Sequence, residues 1–444
     1  MRTSRLRLSL VALATSLCLV ACGGGDDGPS ATAPSAACDV AAQNDWLRSY
    51  FLDKYYWSGS SPNPDPAGFT SLASYFNALK YTNYGGPGVV EPWSGYQDSV
   101  SYNQFFAEGQ TLGYGLFVNG NERQLPLRAR LIEPQSPAGA AGLQRGDVIV
   151  SVNGVPSSTV ITGDFAVLNP AQAGDQLALV IERAGVQLPP VTLTAALYTL
   201  TPVPVTNVLT LPNGTKAGYL VLKDFITQAE APVVSALASF RAQGATEVIV
   251  DLRYNGGGRV STANLLASQI VGAVHGSKLF TRLVYNAGNQ ASNSNINLTA
   301  APAPAFGRVV VLTGSRTCSA SELVVNGLAP YVNVVTIGGA TCGKPYGFNP
   351  VASCGNTFSV VNFQARNANG FGSYENGLTP TCPVADEFTG ALGDPAEKLT
   401  GAAMSYLSSG SCPTATAKVT PLSAVERARL SRVEPGERQG MVAD

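Results

Sequence analysis

Ser319 and Lys344 are the residues of this sequence whose types and setting best fit covalent chemistry. Both lie in the stretch RTCSASELVVNGLAPYVNVVTIGGATCGKPYG, from Arg316 to Gly347. Ser319 follows an apolar, strand-like run, Arg308 to Gly314, and opens a run with helical spacing. A hydroxyl in that position is presented at a strand's C-terminal end, beside free N–H groups and the positive end of a helix dipole. The same residues, Ser319-Ala320-Ser321-Glu322, also read as a capping box, whose task is only to satisfy the first helical turn. A serine nucleophile needs a base. The chain has one histidine, His275, so a Ser-His-Asp triad, a histidine metal site or a haem would all depend on that residue alone. Its place before Gly276 at a helix end is that of a cap. The other available base is a lysine kept neutral by burial, which lowers its pKa from ~10.4 toward ~7–8. Lys344 sits in a glycine-rich turn after the strand-like VNVVTI and meets that requirement.

Such groups need a rigid frame. From 201 to 411 the sequence alternates strand and helix: KAGYLVLKDF, TEVIVDLR, RVVVLTG and VNVVTIGG are strand-like runs separated by helical spacings. Continuous apolar strands of this kind predict an α/β core with a mostly parallel sheet, its functional groups at the strands' C-terminal ends. Asn255-Gly256-Gly257-Gly258 follows one such strand and allows a close backbone approach. Residues 38–110 read as an N-terminal helical domain, with Trp46, Tyr50, Lys54 and Trp57 on one period and Leu72, Tyr75, Phe76 and Leu79 on another. Residues 111–200 read as short strands joined by turns, and residues 412–444 as a polar tail expected to be disordered toward Asp444. The motif Gly338-x-x-x-x-Gly343-Lys344 matches the start of a phosphate-binding loop, but Pro345 stands where the Mg²⁺-binding hydroxyl would be.

Composition narrows the setting. With 28 Lys+Arg against 29 Asp+Glu the net charge is −1, so no basic field invites nucleic acid. Arg2, Arg5 and Arg7 precede an apolar stretch too short to span a membrane, ending in Leu19-Val20-Ala21-Cys22. That ending resembles the lipobox of bacterial lipoproteins. The resemblance implies a signal peptide over 1–21, lipidation of Cys22, a flexible linker over 22–37, and a chain exported and lipid-anchored to a membrane of the bacterial cell envelope, facing the periplasm. Beyond Cys18 and Cys22, six cysteines remain, an even number that fits disulfides in an exported chain. Short loops favour Cys342–Cys354 and Cys382–Cys412, with Cys318–Cys342 as an alternative beside the two chemical candidates. No CxxC pair points to zinc, and no metal or organic cofactor is expected.

Two family resemblances complete the reading. SPAGAAGLQRGDVIVSVNG, with Gly113-Tyr114-Gly115-Leu116 ahead of it, closely resembles a PDZ domain. The resemblance makes Gly113 to Leu116 the loop that binds a peptide's terminal carboxylate, or leaves the domain as a spacer or lid. The strand ending in DLR, the NGG turn, SASE and a Gly-Lys turn, all after a PDZ domain, resemble the carboxy-terminal processing (tail-specific) serine proteases. That resemblance implies a serine endopeptidase acting on unfolded or C-terminal regions of exported proteins, whose substrates have unstructured or apolar C-termini. It makes Ser319 the nucleophile, Lys344 the general base, and the backbones of Ala320 and of Gly256 or Gly257 the oxyanion donors. Asp251, Arg253 and Glu322 take supporting positions, or are structural ion pairs. Where the family has a glutamine four residues after the lysine, this chain has Phe348. Orientation of Lys344 then falls to another group, such as the hydroxyl of Thr341 or Tyr346, or the chain is a catalytically weak peptide- or ligand-binding relative.

Overall fold

The computed structural model describes residues 38–413 except 164, and of the later chain residues 426, 429–430, 437–438 and 440–443. The expectations for the signal segment, for Cys22 and for the linker lie outside these residues. Among the described residues no helix is long and apolar enough to cross a membrane.

A six-stranded sheet carries the site. Its order is Val205–Thr210, Lys216–Val221, Glu247–Asp251, Val309–Thr313, Val334–Gly338, Cys382–Pro383. The first pair runs antiparallel and the other pairings are parallel. Every residue of Glu247–Asp251 and Val309–Thr313 is buried, because helices cover both faces of the sheet; this is why those strands read as continuous apolar runs. On one face Val248, Val250, Val309 and Val311 pack against the helices Glu230–Ala242, Val260–Val271 and Ala320–Leu328. On the other, Ile249, Val310, Leu312 and Ile337 meet Leu399, Ala403 and Leu407 of the helix Lys398–Ser409.

Asp251 and Arg253, at the end of the third strand, form a buried ion-pair network. The Arg253 guanidinium donates to Asp251 Oδ1 at 3.0 Å and grips both Glu397 oxygens at 2.6 and 3.0 Å. Tyr219 donates to Asp251 Oδ2 at 2.7 Å. Glu397 caps the helix Lys398–Ser409 by accepting from Thr400 N, so this network ties the strand end to the next helix.

The N-terminal region holds the helices Val40–Lys54 and Leu72–Leu79. Trp57, expected on the period of the first, falls beyond its end. Leu47, Phe51, Tyr55 and Phe76 share a cluster with Tyr346, Phe358 and Val361, which follow Lys344 in the chain. The region is not helical throughout: Gly95–Asp98 is a strand paired antiparallel with Asn356–Ser359, so its end is stitched into the core.

The disulfides are Cys38–Cys354, Cys318–Cys342 and Cys382–Cys412. The expected Cys342–Cys354 link is replaced. Cys318 and Cys342 follow the C-terminal ends of two adjacent parallel strands, where their Cα atoms are 5.2 Å apart. Cys354, in a hairpin turn, is left to meet Cys38 at the start of the first helix.

The region 111–200, which resembles a PDZ domain, is docked on the core. Phe117 and Leu131 cluster with Tyr254 and Phe388, Arg145 donates to Asp386 at 2.7 Å and to the Tyr254 hydroxyl, and Arg316 pairs with Glu122. Gly113, Tyr114, Gly115 and Leu116 are all buried. The Tyr114 carbonyl accepts from Ala138 N at 2.9 Å, and the Gly115 carbonyl from Glu133 N at 2.9 Å.

At its described residues near the end, the late chain is ordered where disorder was expected. Gly440–Val442 is a strand paired in parallel with Gly257–Arg259, and Met441 is fully buried in the main core cluster. A polar composition hid a short apolar insert, which finds an open strand edge and an apolar pocket.

Candidate active site

Ser319 is the N-cap of the helix Ala320–Leu328, with φ 61° and ψ −112°. A side-chain-bearing residue with that φ and ψ falls outside the ordinary left-handed well, at a cost of about 1–3 kcal/mol. Contacts on both sides hold it there. The Ser319 N–H donates to Glu322 Oε2 at 2.8 Å, Cys318 N donates to the Asn255 carbonyl at 3.1 Å, and Cys318 is bonded to Cys342. Glu322 closes a capping box with Ser319 through the Ser319 N–H. The Ser319 Oγ is buried without a hydrogen-bond partner. An unpaired buried hydroxyl costs free energy, and such an atom is expected where it has a partner to come.

Glu322 joins the two candidate segments. Its Oε2 also accepts from Lys344 N at 2.9 Å, while Oε1 accepts from Gly343 N at 2.8 Å and from the Thr341 hydroxyl. One buried carboxylate thus holds the backbone of both Ser319 and Lys344. Burial pushes its carboxyl above the ordinary range, against the pull of Thr341, Lys344, Ser319 and Gly343.

Lys344 is 1% exposed, and burial lowers its pKa to about 8, against the opposing pull of Glu91 and Glu322. Its Nζ lies 5.0 Å from the Phe348 ring centre and 5.4 Å from that of Trp93. The hydroxyls considered for orienting it are turned elsewhere: Thr341 donates to Glu322, and Tyr346 donates to Glu375 at 3.0 Å. Two aromatic rings form the walls instead. Trp93 is held by Glu91, whose Oε2 accepts from Trp93 N at 2.8 Å and Ser94 N at 3.0 Å. Sequence reasoning missed Trp93 and Glu91, because the turn that carries them lies far from Lys344 in the chain. The remaining signal was the unusual density of aromatics before Gly95.

Across from Ser319 stands the glycine turn. Asn255 fixes it: its Oδ1 accepts from Gly257 N at 2.8 Å, its Nδ2 donates to the Leu222 carbonyl at 2.9 Å, and its carbonyl accepts from the Ser321 hydroxyl at 2.9 Å. Gly257 has φ 112°, and a Cβ there would lie 2.2 Å from Gly440 O, 3.0 Å from Ser319 Cβ and 3.1 Å from Ala320 N. Only glycine fits, and that one point is ringed by a carbonyl oxygen, the serine and an N–H. As the first residue of its helix, Ala320 has no intrahelical acceptor for that N–H.

Asp251 and Arg253 are engaged with each other, Tyr219 and Glu397, and they position the strand end. His275 ends the turn Gly272–His275, its ring 5.3 Å from that of Tyr331. Cys318, Glu322 and Cys342 come within 4.8 Å of one another, but sulfurs joined in a disulfide are not thiolate ligands.

The Cys318–Cys342 bond clamps the same two segments as Glu322. Cys318→Ser with Cys342→Ser is expected to reduce activity at this site by about tenfold or more. It should also lower stability by about 3–4 kcal/mol, the chain-entropy value for cross-linked residues 24 apart in sequence. Thermal denaturation and a turnover assay on the double variant check both. Unchanged turnover in the folded variant would remove the disulfide from the positioning of the site.

Comparison with known proteins adds to this geometry. Residues 216–384 match the model of peptidase family S41, residues 129–183 that of a PDZ domain, and residues 42–95 that of the peptidase S41 N-terminal domain. The chain is similar to the carboxyl-terminal-processing protease of Picosynechococcus sp., at 29% identity over 242 residues, 53% of this chain and 55% of that one. A protein of the same description from Synechocystis sp. is 30% identical over 243 residues, 54% and 55% of the two chains. The chain thus spans about half the length of the curated relatives it matches. A crystal structure of a Bacteroides fragilis protein classed with the S41 proteases covers 82% of this chain and 97% of its own, with a TM-score of 0.67 at 23% identity; this is a likeness of fold.

Proposed function

We propose that this chain is a serine endopeptidase of the carboxy-terminal processing type, a reading supported by its matches to the models of peptidase family S41, a PDZ domain and the peptidase S41 N-terminal domain. The observation that carries the reading is the pairing of a buried serine hydroxyl with no hydrogen-bond partner and a buried lysine with its pKa near 8, their backbones held by one carboxylate.

In this mechanism neutral Lys344 takes the Ser319 proton as Oγ attacks a peptide carbonyl. The Ala320 N–H receives the developing oxyanion. The second donor in this reading is Gly256 or Gly257, the Gly257 N–H being engaged with Asn255 Oδ1 in this structure. The Lys344 ammonium returns the proton to the leaving amine; the same lysine then deprotonates a water that attacks the acyl group, and gives that proton to the Ser319 oxygen as the acyl bond breaks. No step calls for a cofactor. The substrates we infer are extended polypeptides, unfolded or C-terminal regions of exported proteins; the PDZ loop Gly113 to Leu116, buried in this structure, serves as their capture point only once it is uncovered. The export and lipid-anchor reading rests on residues 1–22 of the sequence.

The pH profile tests the base. Only neutral lysine accepts a proton, so kcat/KM for an unfolded protein substrate should rise about tenfold per pH unit below 8 and level off above it. At pH 7 about a tenth of such a lysine is neutral, against roughly one in a few thousand for an exposed one. A rate flat from pH 6 to 9 in the folded protein would reject Lys344 as base. Absence of cleavage at every pH would favour the peptide-binding alternative, with Phe348 as its cause.

A further inference from the structure

We propose that Glu437, Arg438 and Gly440–Val442 are a built-in occupant of the substrate groove, which polypeptide substrates must displace, binding as the same kind of extended strand; this rests on the peptidase reading. The strand Gly440–Val442 has backbone partners on both sides. Gly440 N donates to the Gly256 carbonyl at 3.1 Å, and the pairing continues in parallel along Gly257–Arg259. On the other side Phe348 N donates to the Met441 carbonyl at 2.9 Å, and Ala443 N to the Phe348 carbonyl at 3.1 Å. A strand added to an open edge by main-chain bonds, with pockets for alternate side chains, is a recurring mode of peptide recognition.

The strand lies beside the candidate catalytic groups. The Gly440 carbonyl oxygen is one of the three groups around the point beside Gly257, with Ser319 Cβ and Ala320 N. Met441 is fully buried in the cluster that holds Ala320, Leu323 and Phe363. A Cβ on Gly440 would stand 2.6 Å from the Phe348 ring, and that same ring walls Lys344. The groove therefore takes a glycine or similarly small residue under Phe348, followed by an unbranched apolar residue in a dry pocket. Phe348 in place of a polar residue acquires a role as the lid over this strand.

Glu437 anchors the occupant at its other end. Its Oε1 lies 2.7 Å from Arg130 of the PDZ region and 3.4 Å from Lys223 of the core. The anchor thus spans both regions. Because the segment is part of the chain, it competes at a high effective concentration even when its intrinsic affinity is modest.

The test removes the occupant and returns it in trans. Deletion of residues 437–444 should raise cleavage of an unfolded protein at least tenfold, and so should Gly440→Leu in the full chain. The latter ejects the strand by collision with Phe348. A fluorescein-labelled peptide of residues 437–443 should bind the deletion variant carrying Ser319→Ala, and bind the full-length Ser319→Ala protein at least tenfold more weakly. Fluorescence anisotropy reads this without catalysis. Binding of that kind in a protein that cleaves nothing would uphold the occupant and reject the peptidase. Cleavage by the full chain as fast as by both folded variants would overturn the occupant and leave the peptidase intact. If the deletion variant does not fold, Gly440→Leu supplies both measurements.

Discussion

Ser319→Ala and Lys344→Ala are each expected to lower kcat for cleavage of an unfolded protein by about 10³-fold or more, while the protein stays folded. The two losses should be far from additive, because nucleophile and base act as one unit. Ser319→Ala removes the one atom able to form the acyl bond, and it removes a buried hydroxyl that has no hydrogen-bond partner in the resting protein. Stability should therefore hold or rise slightly. Lys344→Ala removes a side chain that is 1% exposed between two rings, so its cavity costs some stability. Lys344→Met fills the same space without a base and separates the two effects. Cleavage by Lys344→Met within tenfold of the parent would mean that another group takes the proton.

Glu322→Gln is expected to lower kcat by about 100-fold with KM little changed, and Glu322→Ala to destabilise the protein by about 3 kcal/mol or more. The carboxylate accepts four hydrogen bonds at full burial, from Ser319 N, Lys344 N, Gly343 N and the Thr341 hydroxyl. Removing it leaves those donors without acceptors in a dry interior, each at about 1–3 kcal/mol if nothing replaces it. A glutamine keeps one pair of these bonds whichever way its amide is turned, and sets its own NH₂ group against the other pair. Released from the clamp, Ser319 relaxes from φ 61° and the nucleophile moves off line. Steady-state kinetics with circular dichroism on both variants decide this. A Glu322→Gln protein with parental kcat would reduce Glu322 to an ordinary helix cap.

The sequence displayed the centre of the site better than its walls. Ser319 and Lys344 were legible because each follows a continuous apolar strand, and adjacent parallel strands bring such ends side by side. The Asn255–Gly258 turn was legible from its glycines, and the structure shows why Gly257 admits no side chain. Trp93 and Glu91 were not legible, since neither carries a local pattern and both reach Lys344 only through the docking of the N-terminal region on residues 346–361. The Cys38–Cys354 link was hidden for the same reason: loop length favours near neighbours, and the fold joins distant ones. Gly440–Val442 was least visible. Three residues in a polar stretch have no periodicity, and their partner strand begins with glycines.

The most direct test of the Ser-Lys account is to catch the acyl bond. The protein is mixed with an activated ester of a short apolar peptide, quenched in acid within seconds, and mapped by mass spectrometry. One added peptidyl group is expected, carried by Ser319, absent from Ser319→Ala, and formed faster at pH 8.5 than at pH 6.5. A protein that cleaves the ester while acylated elsewhere, or that turns it over as fast with alanine at 319, would contradict it.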